Sequence, residues 1–318
     1  MKSGVPQGSE LGPVLFVLFI NDLPEEVIPD LLLYADDAKI YRAIKDDADR
    51  EQLQRDLHAM SLWSDEWLLS FHPDKLKKLL ISRKEFYTER RYHVGSDPVK
   101  NVEMETDLGV CVDGELNFDE NRKLRVQKAN RMIGAIRLSF QFLESYTFVK
   151  LYKSMIRCHV EFAVPVWFPY LAKDIEEVEA VQKRATKMIA ETKGLEYEER
   201  LRLLKLPTLV YRRHRGDMIE LYKMINGLYD EEVLPNFELR GDIVPRQNRR
   251  HSKQIFITHS NKDLRANFFT KRAAPVWNEL SEEVVSAPSL DSFKIRLDKL
   301  WENHPMKYDY TKSVFSRF

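Results

Sequence analysis

Three observations predict an α+β fold for this sequence. Short apolar or β-favouring runs gather before about Phe118, helical periodicity takes over from Asn121, and a tight turn at Asp36-Asp37 joins two of the early runs. With 318 residues, 43% of them hydrophobic, the chain can bury a sizeable core, and its length favours two domains over one.

Residues 9–21 read as a helix with Ser9 as N-cap, Pro13 near the first turn and Leu15, Leu18 and Phe19 on one side; Pro24 closes it. Leu31-Leu32-Leu33-Tyr34 and Lys39-Ile40-Tyr41 flank the Asp36-Asp37 turn and read as a β-hairpin with both carboxylates at its tip. Leu53, Leu57, Met60 and Trp67 recur at helical spacing over residues 49–69, and a buried strand is expected over 77–82. Residues 92–94 and 108–112 read as further strands, with Gly95 and Pro98 between them as turn signals. Beyond these, Val126, Ile133 and Ile136, then Val149, Tyr152 and Ile156, then Ile175, Val178 and Met188, then Met218, Leu221, Tyr222 and Ile225 mark successive helices. Polar, basic residues 236–262 read as a loop or linker, and a last helix is expected over 289–301.

Composition narrows the function classes. The longest apolar run, residues 14–20, is far short of the roughly 20 residues that span a bilayer. The N-terminus carries no signal-peptide pattern, so an intracellular protein without membrane segments is expected. Cys111 and Cys158 are too isolated for a disulfide framework or a zinc site. Lys plus Arg and Asp plus Glu are each 50, so net charge offers no argument for nucleic-acid binding. Local basic clusters do: Arg122, Lys123, Arg125, Lys128 and Arg131; Arg212, Arg213 and Arg215; Arg246, Arg249, Arg250 and Lys253. Each also reads as solvated surface.

Asp36 and Asp37 are the residues with the clearest chemistry. Adjacent carboxylates at a hairpin tip repel each other, and a divalent cation offsets that repulsion. Mg²⁺ takes one or two carboxylates plus substrate phosphates, as phosphoryl transfer requires. The pair alone is a weak signal, because Asp is a common turn residue and Asp46-Asp47 is a second such pair.

The context sharpens the reading. Ser3-Gly4-Val5-Pro6-Gln7-Gly8-Ser9, then Leu11-Gly12-Pro13, then Tyr34-Ala35-Asp36-Asp37 resemble motifs B and C of reverse transcriptases in order, and Phe71-His72-Pro73-Asp74-Lys75 resembles motif D. Asn21-Asp22-Leu23-Pro24, Trp63 with Trp67, and Asp107-Leu108-Gly109-Val110 resemble the version found in non-LTR (LINE-type) retrotransposons. Arg184-Ala185-Thr186-Lys187, residues 197–201, Arg215-Gly216-Asp217-Met218 and Ala274-Pro275-Val276-Trp277-Asn278 resemble the C-terminal region of the same elements, so the resemblance covers nearly the whole chain. It implies a partial polymerase palm over 1–118 with the hairpin as active-site turn, a helical thumb-like region over 119–235, and a basic linker with a C-terminal helical region over 236–318.

The resemblance also implies roles. Asp36 and Asp37 would be catalytic and would face Mg²⁺, or Mn²⁺ in its place, with Asp36 the preferred direct ligand. Tyr34 and Ala35 would shape the turn beside the primer end. Gly4, Gln7 and Gly8 match the segment that contacts incoming nucleotide and template, where glycine permits close backbone approach; a helix-entry turn is the alternative for the same residues. Lys75 matches a motif D lysine assisting pyrophosphate departure, or is an exposed structural lysine. His72 stands where many relatives carry asparagine. The family's further aspartate, in motif A, precedes motif B, and Asp22 is a poor substitute for it. The expectation is therefore RNA-directed DNA polymerase sequence without motif A, fingers or an endonuclease domain. Its metal binding would be weak and this polypeptide alone inactive, with RNA template and DNA primer as partners of the longer relative and weak RNA binding surviving here. The alternative is a non-catalytic remnant that binds RNA or protein.

Overall fold

The computed structural model describes residues 8–23, 31–82, 90–230, 234–235, 237–243 and 251–315. The chain forms two compact units, Met1–Glu105 with Asp113–Glu115 and Thr106–Val112 with Leu116–Phe318. Among the described residues no helix is long and apolar enough to cross a membrane.

The first unit has the α+β character the sequence predicts. It runs α1 (Leu11–Ile20), β1 (Leu31–Tyr34), β2 (Asp37–Ile40) and α2 (Asp47–Glu66), then β3 (Lys77–Leu79), β4 (His93–Val94), β5 (Asp97–Pro98) and β6 (Lys100–Val102). β1 and β2 form one antiparallel pair, β4 and β5 another, and β3 pairs in parallel with β6. The strand expected over 77–82 is only three residues long and half exposed, because Leu80 and Ile81 lie beyond its pairing. β7 (Met104–Asp107) and β8 (Val110–Asp113) form a hairpin. Leu108 and Gly109 both lie at positive φ, +44° and +82°, which suits the right-handed twist of the flanking strands.

α1 departs from its predicted face. Leu15 and Leu18 are exposed, while Phe16, Phe19 and Ile20 turn toward Leu57, Met60 and Trp63 of α2. The helix LGPVLFVLFI carries no charged residue, so periodicity has no polar side against which to set its phase. Ser9 still marks the helix start, its Oγ accepting the Gly12 N–H at 3.1 Å. Pro24, expected to close the helix, lies outside the described residues.

α2 begins with a reciprocal capping box between Asp46 and Asp49, which accounts for one of the two Asp-Asp pairs in the sequence. It then buries Asp56, whose carboxylate takes Arg42 at 2.7 Å and Gln52 at 2.8 Å. Arg42 lies just past β2, so this pair ties the return strand of the hairpin to α2.

The second unit is helical. α3 (Asp119–Ser139) is followed by α4 (Ser145–Leu151), a π-helical turn over Tyr152–Ile156, α5 (Arg157–Glu161), α6 (Val164–Trp167) and α7 (Ala172–Ala185). Then come α8 (Tyr197–Leu204), α9 (Leu209–Ile225), α10 (Arg240–Ile243), α11 (Asp263–Ala266), α12 (Phe269–Asn278), α13 (Glu282–Val285) and α14 (Leu290–Leu300). One apolar core gathers Ile133, Phe148, Ile156, Val178 and Leu201; a second gathers Met218, Leu221, Trp277, Phe293 and Leu297. α9 serves both, through Leu209 at its start and Met218 and Leu221 further on.

Buried polar groups join these helices. Glu179 of α7 is fully buried and accepts the Tyr197 hydroxyl at 2.6 Å and the Leu209 N–H, the first amide of α9, at 3.1 Å. Gln182 accepts from the Tyr152 hydroxyl and donates to Tyr197 Oη and Pro207 O, each at 3.0 Å. Asp217 of α9 receives Arg272 of α12 through Nε at 3.0 Å and Nη2 at 3.1 Å. Arg272 donates also to the Pro165 carbonyl at 2.9 Å. The region read as linker, 236–262, is in part structured: Leu239 and Ile255 bridge antiparallel, and the Asn278 side-chain amide engages both backbone groups of Ile255 at 2.8 and 2.9 Å. The indole of fully buried Trp277 donates to Lys253 O at 2.8 Å.

Asp56→Ala leaves Arg42 without its carboxylate, and hydrogen exchange of the hairpin and α2 amides is expected to report a loss of about 3 kcal/mol; a loss below about 1 kcal/mol would show that the pair does not hold the hairpin. A second outcome concerns pH. Burial pushes the Asp217 carboxyl up to about 6 against the opposing pull of Arg272. Between roughly pH 4 and 6 the folded chain therefore keeps a proton that the unfolded chain releases, and this group's contribution to stability falls as pH rises through that window. Denaturation of Asp217→Asn across the same range is expected to lack this component, and identical pH slopes in both proteins would refute it.

Candidate active-site hairpin

The hairpin's geometry follows from its register. Leu31 pairs with Ile40, Leu33 with Ala38 and Tyr34 with Asp37, leaving Ala35 and Asp36 as the two turn residues. Side chains alternate along a strand, so Leu31, Leu33 and Ile40 share one face and pack on the core containing Trp63, while Leu32 and Tyr34 turn outward. Ala35 closes the turn at φ +51°, a left-handed conformation uncommon for a residue other than glycine, asparagine or aspartate. Its small side chain keeps the steric cost to about 1 kcal/mol.

Asp36 and Asp37 are both exposed, and neither carboxylate is hydrogen-bonded or ion-paired to another described residue. Among the described residues no group of three or more His, Cys, Asp or Glu side chains is disposed to hold a metal ion. The adjacent pair offers carboxylate oxygens, the ligand type that Mg²⁺ takes. Asp22 is engaged elsewhere, its carboxylate accepting the Trp63 indole N–H at 3.2 Å. Trp63 in turn meets Phe19 and Trp67, at centroid distances of 6.2 Å in both cases, and Trp63 and Phe19 belong to the core on which the hairpin's apolar face packs.

The remaining site residues are placed as follows. Gly8 lies at φ +84° with open space where a Cβ would stand, while Gly4 and Gln7 fall outside the described residues. Lys75 ends a 3₁₀ turn over Pro73–Lys75 and is exposed, with no bond to Asp36 or Asp37. His72 caps that turn, Nδ1 accepting the Asp74 N–H at 3.3 Å, an acceptor role that an asparagine side chain also fills. Asp74 is held by Lys100 at 2.7 Å, and the Lys100 ammonium draws its carboxyl below the usual range. Arg42 and Asp56 were not expected as positioning residues; an aspartate beside Leu57 on the apolar stripe of α2 is the signal that could have found them.

The basic clusters divide: Lys128 and Arg131 have no hydrogen-bond or ion-pair partner among the described residues, whereas several of the arginines are engaged inside the fold. Arg122 is buried among Asp119, Asp174 and Glu177, and Arg125 donates to the Gly109 carbonyl while lying 4.2 Å over the Phe162 ring. Arg212 pairs with Glu161, Arg213 is buried, and Arg215 pairs with Asp298. Arg122 and Arg125 are thus buried, Arg122 among three carboxylates and Arg125 against the Gly109 carbonyl and the Phe162 ring. Arg246, Arg249 and Arg250 lie outside the described residues. The motifs of the helical unit likewise build its core: Thr186 receives Arg200 Nε at 3.2 Å, Asp217 receives Arg272, and Trp277 and Asn278 secure residues 253–255.

Residues 1–112 match the family model described as reverse transcriptase (RNA-dependent DNA polymerase). Two curated relatives from Drosophila melanogaster are similar over a longer span. The probable RNA-directed DNA polymerase from transposon X-element is 25% identical over 204 residues, covering 59% of this chain and 22% of the relative. The probable RNA-directed DNA polymerase from transposon BS is 22% identical over 213 residues, covering 60% of this chain and 22% of the relative. The chain thus spans about a fifth of the length of these relatives. No solved structure matches it. With the carboxylate-tipped hairpin inside the matched span and the similarity continuing into the helical unit, residues 1–112 carry a reverse transcriptase domain and the chain is similar to the probable RNA-directed DNA polymerases of the two transposons.

Proposed function

We propose that this chain supplies the catalytic hairpin of an RNA-directed DNA polymerase, with Asp36 and Asp37 holding a divalent cation. The observation that carries this reading is the pair of exposed carboxylates, free of protein partners, at a two-residue turn inside the reverse transcriptase match. When bound, Mg²⁺ or Mn²⁺ would offset charge on the nucleotide phosphates and favour ionisation of the primer hydroxyl. The chain's own work is positional. The Trp63 core and the Arg42–Asp56 pair hold the hairpin's base, so its tip presents both carboxylates to solvent at a fixed register. Tyr34, exposed on the outer face beside the turn, offers a ring against the primer end, and Gly8 offers unobstructed backbone to nucleotide or template. Lys75 is a cation available to a departing pyrophosphate.

Two carboxylates are an incomplete cage for in-line phosphoryl transfer, which needs the primer hydroxyl, α-phosphate and metal held together. Metal affinity of this polypeptide is accordingly expected to be weak, roughly millimolar. Paramagnetic Mn²⁺ should broaden the amide resonances of residues 35–38, and Asp36→Asn with Asp37→Asn should abolish the effect. Broadening centred elsewhere, or surviving the double substitution, would remove the hairpin from the metal site. In a primer-extension assay on an RNA template the 318-residue polypeptide alone is expected to give no product with either metal. Template-dependent product that disappears in the double variant would mean that the two carboxylates suffice.

A further inference from the structure

Most charges along α9 find a partner inside the helical unit, and Arg213 is the exception. Arg215 pairs with Asp298 and Lys223 with Glu220, while Arg212 and Arg157 share Glu161. Arg272 takes both oxygens of Asp217. Arg213 lies among these groups at 4% exposure, yet its Nε and Nη1 atoms have no hydrogen-bond partner. Those two atoms carry three N–H donors of a charged group, and leaving them unsatisfied away from bulk water is costly unless an acceptor compensates. The acids whose charge reaches Arg213, which are Glu179, Asp217 and Glu161, do not supply that acceptor. Glu179 spends its oxygens on the Tyr197 hydroxyl and the Leu209 N–H, and the other two serve the arginines just named.

The local balance is positive. Arg157, Arg212, Arg213 and Arg272 face Glu161, Glu179 and Asp217, four cations against three carboxylates, while Arg215, Lys223 and Lys183 each cancel against an acid of their own. The guanidinium carbons of Arg213 and Arg272 stand 5.8 and 4.3 Å from the Phe168 ring centroid, and the His214 ring meets the same aromatic at 5.4 Å. Burial, followed by the charges of Arg213 and Arg272, pushes His214 down to about 3, so it stays neutral beside them. Gly216, one turn beyond Arg213 on α9, has open space where a Cβ would stand. We infer that Arg213 holds a monovalent anion of chloride size inside the helical unit. Charge sets the valence: one such anion brings four against three to neutrality, and a divalent one would overshoot. Burial sets the size, since a guanidinium at 4% exposure is out of reach of a polymer's phosphate or a partner protein's carboxylate. The ion would sit where α9 packs on α7 and α12, apart from any chemistry at Asp36 and Asp37.

The test is amide hydrogen exchange over α9 peptides of the 318-residue chain, with sodium gluconate replaced stepwise by sodium chloride at constant ionic strength. Fixed ionic strength removes general screening, so a saturable rise in protection with chloride reports binding. For a dissociation constant on the order of 10 mM, about 100 mM chloride is expected to slow exchange about tenfold. Arg213→Met removes the guanidinium while keeping an unbranched side chain, and is expected to exchange at the same rate in both salts. Arg213→Lys keeps the charge with a different donor geometry, and is expected to show a chloride effect weaker than that of the wild type. The wild-type and Arg213→Lys titrations carry the test if Arg213→Met does not fold. No chloride dependence in the wild-type chain overturns the inference, because a neutral molecule such as water would then satisfy Arg213. An undiminished chloride effect in either variant places the anion elsewhere and overturns it too.

Discussion

Everything about the candidate site depends on the register of one hairpin. With only Ala35 and Asp36 between the strands, Leu31, Leu33 and Ile40 must share a face, and a slip of one residue would turn that face to solvent. The packing of these three on the core of Phe19, Met60 and Trp63 therefore fixes which residues occupy the tip. Asp37 is the last paired residue and Asp36 the second turn residue, so the two carboxylates project where no packing interaction competes for them. The cost is a left-handed Ala35, set against apolar burial at the hairpin's base and the Arg42–Asp56 bond beyond it.

The helical unit is organised by a different constraint, the need to satisfy charges taken out of water. Glu179 is accommodated because the start of α9 and the Tyr197 hydroxyl both donate to it, yet burial still holds its carboxyl above the ordinary range. Asp217 and Arg272 satisfy each other bidentately while joining α9 to α12. Such pairs are weak sources of net stability but are costly to break singly, so they specify how the helices meet. This explains why the sequence patterns of the unit, from Thr186 through Asp217 to Asn278, are spent on architecture. Thr186, Asp217, Trp277 and Asn278 direct their donors and acceptors to other parts of the same unit.

The burial of Arg122 and Arg125 has the same physical origin. Arginine is selected for buried ion pairs because its planar fork makes several bonds at once, and Arg122 engages three carboxylates. Along α3, Arg122 and Arg125 are internal struts, whereas Arg131 and Arg137 stay at the surface.

Local chemistry determined much of this protein from sequence alone. β-favouring runs on either side of an Asp-rich turn specify a hairpin, the change from such runs to helical periodicity near Phe118 specifies the α+β order, and Ser289 marks the start of the last helix by accepting the Ser292 N–H. These features arise from interactions among residues close in the chain, which is why they are legible there. Tertiary structure decided the rest. It chose Phe16 and Phe19 over Leu15 and Leu18 as the packed face of a uniformly apolar helix, shortened the strand at residues 77–79, and drew Ile255 onto Asn278 out of a stretch that reads as linker. It also decided that Asp56 meets Arg42, that Arg122 and Arg125 face inward, and that Asp22 accepts the Trp63 indole N–H. In each case a residue chemically able to do two things is committed to one by a neighbour distant in sequence, and only the folded chain brings that neighbour within reach.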